Sequence, residues 1–249
     1  MAYLGKGGTG KTASSALTAR LLMADPDKRV LLVDADPALG LVFALGGKSA
    51  RTVGEVREEV IREAKRGHGT DNRERLSMTV DYLMLEALQE RTGYSLLAMG
   101  RTEGPGCYCP VNSLLRESIE ELAASFDYII IDAEAGIEQV SRQVTRRVDC
   151  PLIVTDSSLR GVATAEAIGD ALKRTGSPSP AGVIFNRANS ADPSLVKRLE
   201  PADIPCLGAI PQDENIARFD LEGRSLLELP LDSPAILALK NILAEAGII

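Results

Sequence analysis

The segment Gly5-Lys6-Gly7-Gly8-Thr9-Gly10-Lys11-Thr12 constrains this chain more than any other. It satisfies G-x-x-x-x-G-K-[ST], follows the apolar run Ala2-Tyr3-Leu4 and precedes a helical pattern. That is the strand–loop–helix context of a phosphate-binding loop. Gly7, Gly8 and Gly10 are expected to take positive φ and turn backbone N–H groups onto phosphate oxygens. The helix beginning near Lys11 adds the positive end of its dipole. Lys11 is expected on the β and γ phosphates and Thr12 on Mg²⁺, with Gly5 to Ala13 as the ATP/ADP-binding stretch.

Such a loop needs a sheet behind it. Short continuous apolar runs, the pattern of buried parallel strands, recur at Val30–Val33, Tyr94–Met99, Tyr128–Ile131, Leu152–Thr155, Gly182–Phe185 and Cys206–Ile210. Helical patterns at Thr12–Met23, Val111–Ala124, Ile137–Val148 and Val162–Leu172 separate most of them. The alternation predicts an α/β P-loop NTPase fold, with a mostly parallel sheet of about seven strands and helices on both faces. The first strand is expected to be short. Either the natural chain starts further upstream, or this edge of the sheet is weaker than normal. Val53–Ala64 has helical spacing, and Leu83–Leu88 fits strand or helix equally. No Pro-, Ser- or Gly-rich linker divides the 249 residues, so one domain over 1–249 is expected.

A net charge of −7 disfavours non-specific nucleic-acid binding, and the absence of Trp disfavours a base-stacking platform. No apolar run is long enough to span a bilayer, and MAYLGKGG does not read as a signal peptide. A cytoplasmic protein without membrane or nucleic-acid partners is the expectation, its four cysteines serving as thiols or metal ligands.

Lys6 is the departure from an ordinary P-loop. The form G-K-G-G-x-G-K-T resembles the deviant Walker A loop of the MinD/ParA class, which includes the nitrogenase iron protein. The resemblance implies an ATPase in which Lys6 reaches across a homodimer interface to the partner's nucleotide. Val30–Pro37, VLLVDADP, resembles the first switch of that class. By that match Asp36 positions the attacking water and Asp34 helps hold the Mg²⁺ hydration shell. Asp34 and Asp36 share one side if the backbone stays extended. Tyr128–Gly136, YIIIDAEAG, reads as a Walker B-like strand, with Asp132 near Mg²⁺ and a second switch over Ala133–Glu138. The class implies catalytic roles for Lys6, Lys11 and Asp36. It places Asn186 on the adenine edge, Arg187 over the ring and Pro211 in a further adenine-lining loop.

Cys107 and Cys109 flank Tyr108 in a loop constrained by Gly104, Pro105, Gly106 and Pro110. Two thiolates are too few for a closed metal site, but a two-fold dimer supplies four, which suits Zn²⁺ or Ni²⁺. GPGCYCPVNSLL and DAEAGIEQ resemble the CooC-type nickel-insertion ATPases. The similarity runs through the whole chain and is poorest between residues 44 and 93. It implies an ATP-switched metallochaperone whose client is carbon monoxide dehydrogenase or acetyl-CoA synthase. A MinD/ParA-like positioning or partition ATPase and an iron–sulfur carrier are the alternatives. Cys150 and Cys206 read as core residues and His68 as solvated.

Overall fold

The computed structural model describes residues 1–48, 51–66, 72–101, 109–133, 148–174, 178 and 181–249. These form one eight-stranded sheet. In chain order the strands are β1 (Ala2–Leu4), β2 (Val30–Asp34), β3 (Gln89–Arg91), β4 (Tyr94–Ala98), β5 (Tyr128–Asp132), β6 (Pro151–Thr155), β7 (Gly182–Asn186) and β8 (Cys206–Ile210). Their spatial order is β3-β4-β2-β5-β1-β6-β7-β8. All neighbours are parallel except β3 and β4, which pair antiparallel. The extra strand β3 is short and polar, so it lacks the apolar run that marks its neighbours. The first strand is indeed only three residues long. It is not an edge, however: β1 lies between β5 and β6 with all three side chains buried.

The helices are α1 (Lys11–Leu22), α2 (Gly40–Ala44), α3 (Val53–Arg66), α4 (Asn72–Ala87), α5 (Cys109–Ala123), α6 (Leu159–Arg174), α7 (Pro193–Leu199), α8 (Glu214–Glu222) and α9 (Pro234–Glu245). The ambiguous run at Leu83–Leu88 is mostly helical, as the end of α4. Alternation along each strand sends successive side chains to opposite faces. Leu31, Val33, Leu97, Ile131, Ile153 and Phe185 join one core with α3, α4, α5, α6 and α7. Val30, Leu32, Leu96, Ile130, Val154 and Ile184 join a second core with α1, α2, α8 and α9. Each fully buried aliphatic or aromatic side chain contributes about 1.5–3 kcal/mol by leaving water. The parallel strands therefore carry their carboxyl ends to one rim of the sheet, where ligands of such folds bind.

Candidate nucleotide site

At that rim, β1 runs straight into the glycine-rich loop. Gly10 has φ of 97°, and a Cβ there would sit 2.0 Å from Nδ2 of Asn186. Any side chain there would be strained by the backbone and would have to push the Asn186 amide aside. Gly5 also has positive φ, and its Cβ would lie 2.2 Å from the Val154 carbonyl oxygen on β6. Gly8 takes positive φ as expected, whereas Gly7 does not. The strained turns fall on Gly5, Gly8 and Gly10, because the loop must first pass close under β6. The Lys6 carbonyl closes the loop by accepting from Lys11 Nζ at 3.1 Å and Thr9 Oγ1 at 2.9 Å. Asn186, at the end of β7, donates from Nδ2 to the Thr9 carbonyl at 2.7 Å.

Beside the loop, β2 and β5 end in register at Asp34 and Asp132. Thr12 Oγ1 donates to Asp132 Oδ2 at 2.6 Å, while Asp132 Oδ1 is buried without a hydrogen-bond partner among the described residues. Burial pushes the Asp132 carboxyl up to about 7; the Thr12 bond opposes this and the Asp34 charge adds to it. Asp34 is fully buried, and burial raises it to about 6 against its hydrogen bonds from backbone amides. Its Oδ1 accepts from Asp36 N at 3.1 Å and its Oδ2 from Val42 N at 2.9 Å. A shared side for Asp34 and Asp36 requires an extended backbone; the strand instead ends at Asp34 and the chain turns around that carboxylate. Asp36 stays close enough for its charge to raise both Asp34 and Asp132, and it lines the cavity. There Asp36 accepts from Ala38 N at 2.8 Å.

The cavity holds about 720 Å³. Gly7, Gly8, Gly10, Lys11, Thr12 and Ala13 form one wall, and Asn186, Arg187 and Pro211 another. Arg187 takes φ of 57°, uncommon for a residue with a side chain. Gln212, next to Pro211, also lines the cavity, as do Ile216, Ala217 and Asp220, which no motif marked. Asp213 fixes this wall. Its carboxylate caps α8 through Asn215 N at 2.9 Å and accepts from Ser233 Oγ and Ala235 N at the start of α9. The pattern Asp-Glu-Asn before an apolar run could have revealed the first of these caps.

Lys6 points away from the loop, its Nζ 3.8 Å from Oδ2 of Asp156 just beyond β6. No sequence pattern announced that partner. The segment carrying the cysteine pair follows β4 and therefore leaves the same rim. Cys107 lies outside the described residues, as do residues 134–138 of the expected second switch, His68, and all but the last residue of the helix expected over 137–148. Cys109 is the first residue of α5. Among the described residues no group of three or more His, Cys, Asp or Glu could hold a metal ion. Cys150 and Cys206 are half-buried free thiols, less enclosed than core residues. No described helix is long and apolar enough to cross a membrane.

A phosphate loop fed by a central strand, with two carboxylates at the paired ends of β2 and β5 beside it, defines a P-loop nucleotide-binding protein. The chain belongs to the CobQ/CobB/MinD/ParA nucleotide-binding family, whose profile matches residues 1–226. It is 36% identical to the ATP-binding protein MJ0685 of Methanocaldococcus jannaschii over 92% of this chain and 91% of the relative. It is 30% identical to the carbon monoxide dehydrogenase accessory protein CooC of Rhodospirillum rubrum, over 94% and 90% respectively. The septum site-determining protein MinD from Pyrococcus horikoshii, solved with Mg-ADP, shares the fold with a TM-score of 0.69 and 22% identity. That match covers 98% of this chain and 93% of the MinD chain.

Proposed function

We propose that this protein is an ATP-hydrolysing metallochaperone that loads nickel into carbon monoxide dehydrogenase or acetyl-CoA synthase. The observation that carries the reading is the C-x-C pair, which follows β4 and ends at the first residue of α5, in a nucleotide-binding chain that resembles CooC along nearly its whole length. ATP occupies the cavity. The loop amides and Lys11 hold its phosphates, and Asn186, Arg187 and Pro211 surround the base. Magnesium fits the residues present, because the unpartnered Asp132 Oδ1 and the adjoining Thr12 hydroxyl offer oxygens to the ion or its waters. When bound, Mg²⁺ neutralises phosphate charge. Asp36 orients the attacking water, and Asp34 supports the turn that presents Asp36. Lys6 leaves Asp156 and reaches the nucleotide of a second copy, so ATP drives homodimerisation. Cys107 and Cys109 from both copies then hold Ni²⁺ or Zn²⁺ as cargo, and hydrolysis releases it.

The fold equally suits a MinD/ParA-like positioning ATPase. Against a membrane role, the apolar face of α9 (Ala235, Ile236, Leu239, Ile242 and Leu243) is buried in the core. The test is anaerobic purification followed by metal analysis with and without ATP, beside Cys107→Ala and Cys109→Ala. Nickel or zinc near one per dimer, lost in both variants, is the expected result. Iron loading would favour the iron–sulfur carrier. Absence of metal together with lipid- or DNA-stimulated ATP hydrolysis would favour the positioning class and overturn the proposal.

A further inference from the structure

We infer that the first turns of α3 clamp both ends of the cysteine-bearing segment, with Arg57 as the positioning residue at its exit. The inference rests on the metallochaperone reading only for the purpose of the clamp. At the entry, Thr52 bridges Ala98 in parallel, and Gly54 N donates to the Met99 carbonyl at 3.0 Å. A Cβ on Gly54 would sit 2.2 Å from the Arg101 carbonyl oxygen, so the chain leaving β4 is pressed against the helix backbone. Gly100 has φ of 64°, and its Cβ would lie 2.6 Å from that of Thr52. At the exit, Arg57 Nε donates to Asn112 Oδ1 at 2.8 Å, in the first turn of the helix that begins at Cys109.

One short stretch, Thr52 to Arg57, thus touches the last described residues before the segment and the first turn after it. The stretch is itself braced. Glu55 accepts from Thr52 N at 2.8 Å while Glu55 N donates back to Thr52 Oγ1 at 3.2 Å, a capping box. Arg57 is only 9% exposed. A buried guanidinium is costly to desolvate where an apolar side chain would pack as well, which points to a role beyond packing. The entry also meets the nucleotide site: Met99 N donates to the Asp34 carbonyl at 2.8 Å.

The test compares wild type with Arg57→Met, Asn112→Leu, their double variant and Asn112→Asp, which keeps an acceptor for Arg57. Reduced protein is titrated with Co²⁺ and the sulfur-to-cobalt charge-transfer band is followed. Mg-ATP affinity and amide exchange across residues 110–116 are measured in parallel. Each single variant is expected to weaken cobalt binding by about 10- to 100-fold, as for loss of a group that orients a metal ligand. The double variant should be no worse than either single, exchange should quicken at 110–116, Mg-ATP affinity should hold, and Asn112→Asp should behave as wild type. Unchanged exchange in Arg57→Met overturns the clamp whatever the metal does. Quickened exchange with an unaltered cobalt band overturns the positioning role. A wild type without the band overturns the metal reading instead and leaves the clamp to be decided by exchange.

Discussion

The ammonium of Lys6 lies 3.8 Å from the carboxylate of Asp156, and both side chains are more than a third exposed. An exposed pair at this distance contributes little to stability, about 0–1 kcal/mol. Asp156→Asn is therefore expected to leave the melting temperature nearly unchanged. On our reading it should also promote ATP-dependent dimerisation, whereas Lys6→Ala should abolish it. Analytical ultracentrifugation with Mg-ATP checks both.

Asp132 and Asp34 give the nucleotide-free protein a particular pH dependence. Their folded carboxyls stand near 7 and 6, against an ordinary value of 3.8. Between those limits the folded state binds more protons than the unfolded chain, so stability must fall as pH rises through the window. Urea unfolding at about pH 5 and about pH 8 should show this loss, with Asp132→Asn flattening it. Mg²⁺ with nucleotide should restore stability at the higher pH, because the ion favours the charged pair.

Gly10→Ala tests the seating of the loop. The added methyl would meet the Asn186 amide at 2.0 Å in a backbone conformation that side chains avoid. Pushing Asn186 away also breaks its bond to the Thr9 carbonyl. Nucleotide affinity should fall at least tenfold by fluorescent-nucleotide titration, with a stability loss of about 1–3 kcal/mol.

Asp213→Ala removes one carboxylate from two helix starts at once. A lost N-cap costs about 0.5–2 kcal/mol, so destabilisation of about 2–3 kcal/mol is expected, readable as a melting point lower by several degrees. Because Asp213 also holds the wall formed by Pro211 and Gln212, nucleotide binding should weaken beyond what the stability loss explains.

Much of this was legible in the residues. The apolar runs found every parallel strand, since a strand buried on both faces needs no alternation. The phosphate loop, Asp34 and Asp132 stand where strand ends place them. What escaped notice has physical reasons. β3 is three polar residues held by pairing with β4, and nothing in Gln89-Glu90-Arg91 carries a strand signal. Gly5 proved to be a strained turn because of Val154, a neighbour 149 positions away. The chain turns after Asp34 rather than staying extended, because the Asp34 carboxylate draws the following amides around itself. The pairs Lys6–Asp156 and Arg57–Asn112 join distant parts of the chain, and such contacts leave no local pattern.

The outermost strand β3 has a larger consequence than its size suggests. Its brevity, its antiparallel run and the exposed charges of Glu90 and Arg91 make that flank a poor template for a neighbour's backbone. At the other flank, β8 is kinked by Gly208 and by slipped pairing between Val183 and Ile184. Copies of this chain are thus discouraged from zipping side by side into ribbons. Contacts between copies are thereby left to loops and helix faces rather than to strand edges.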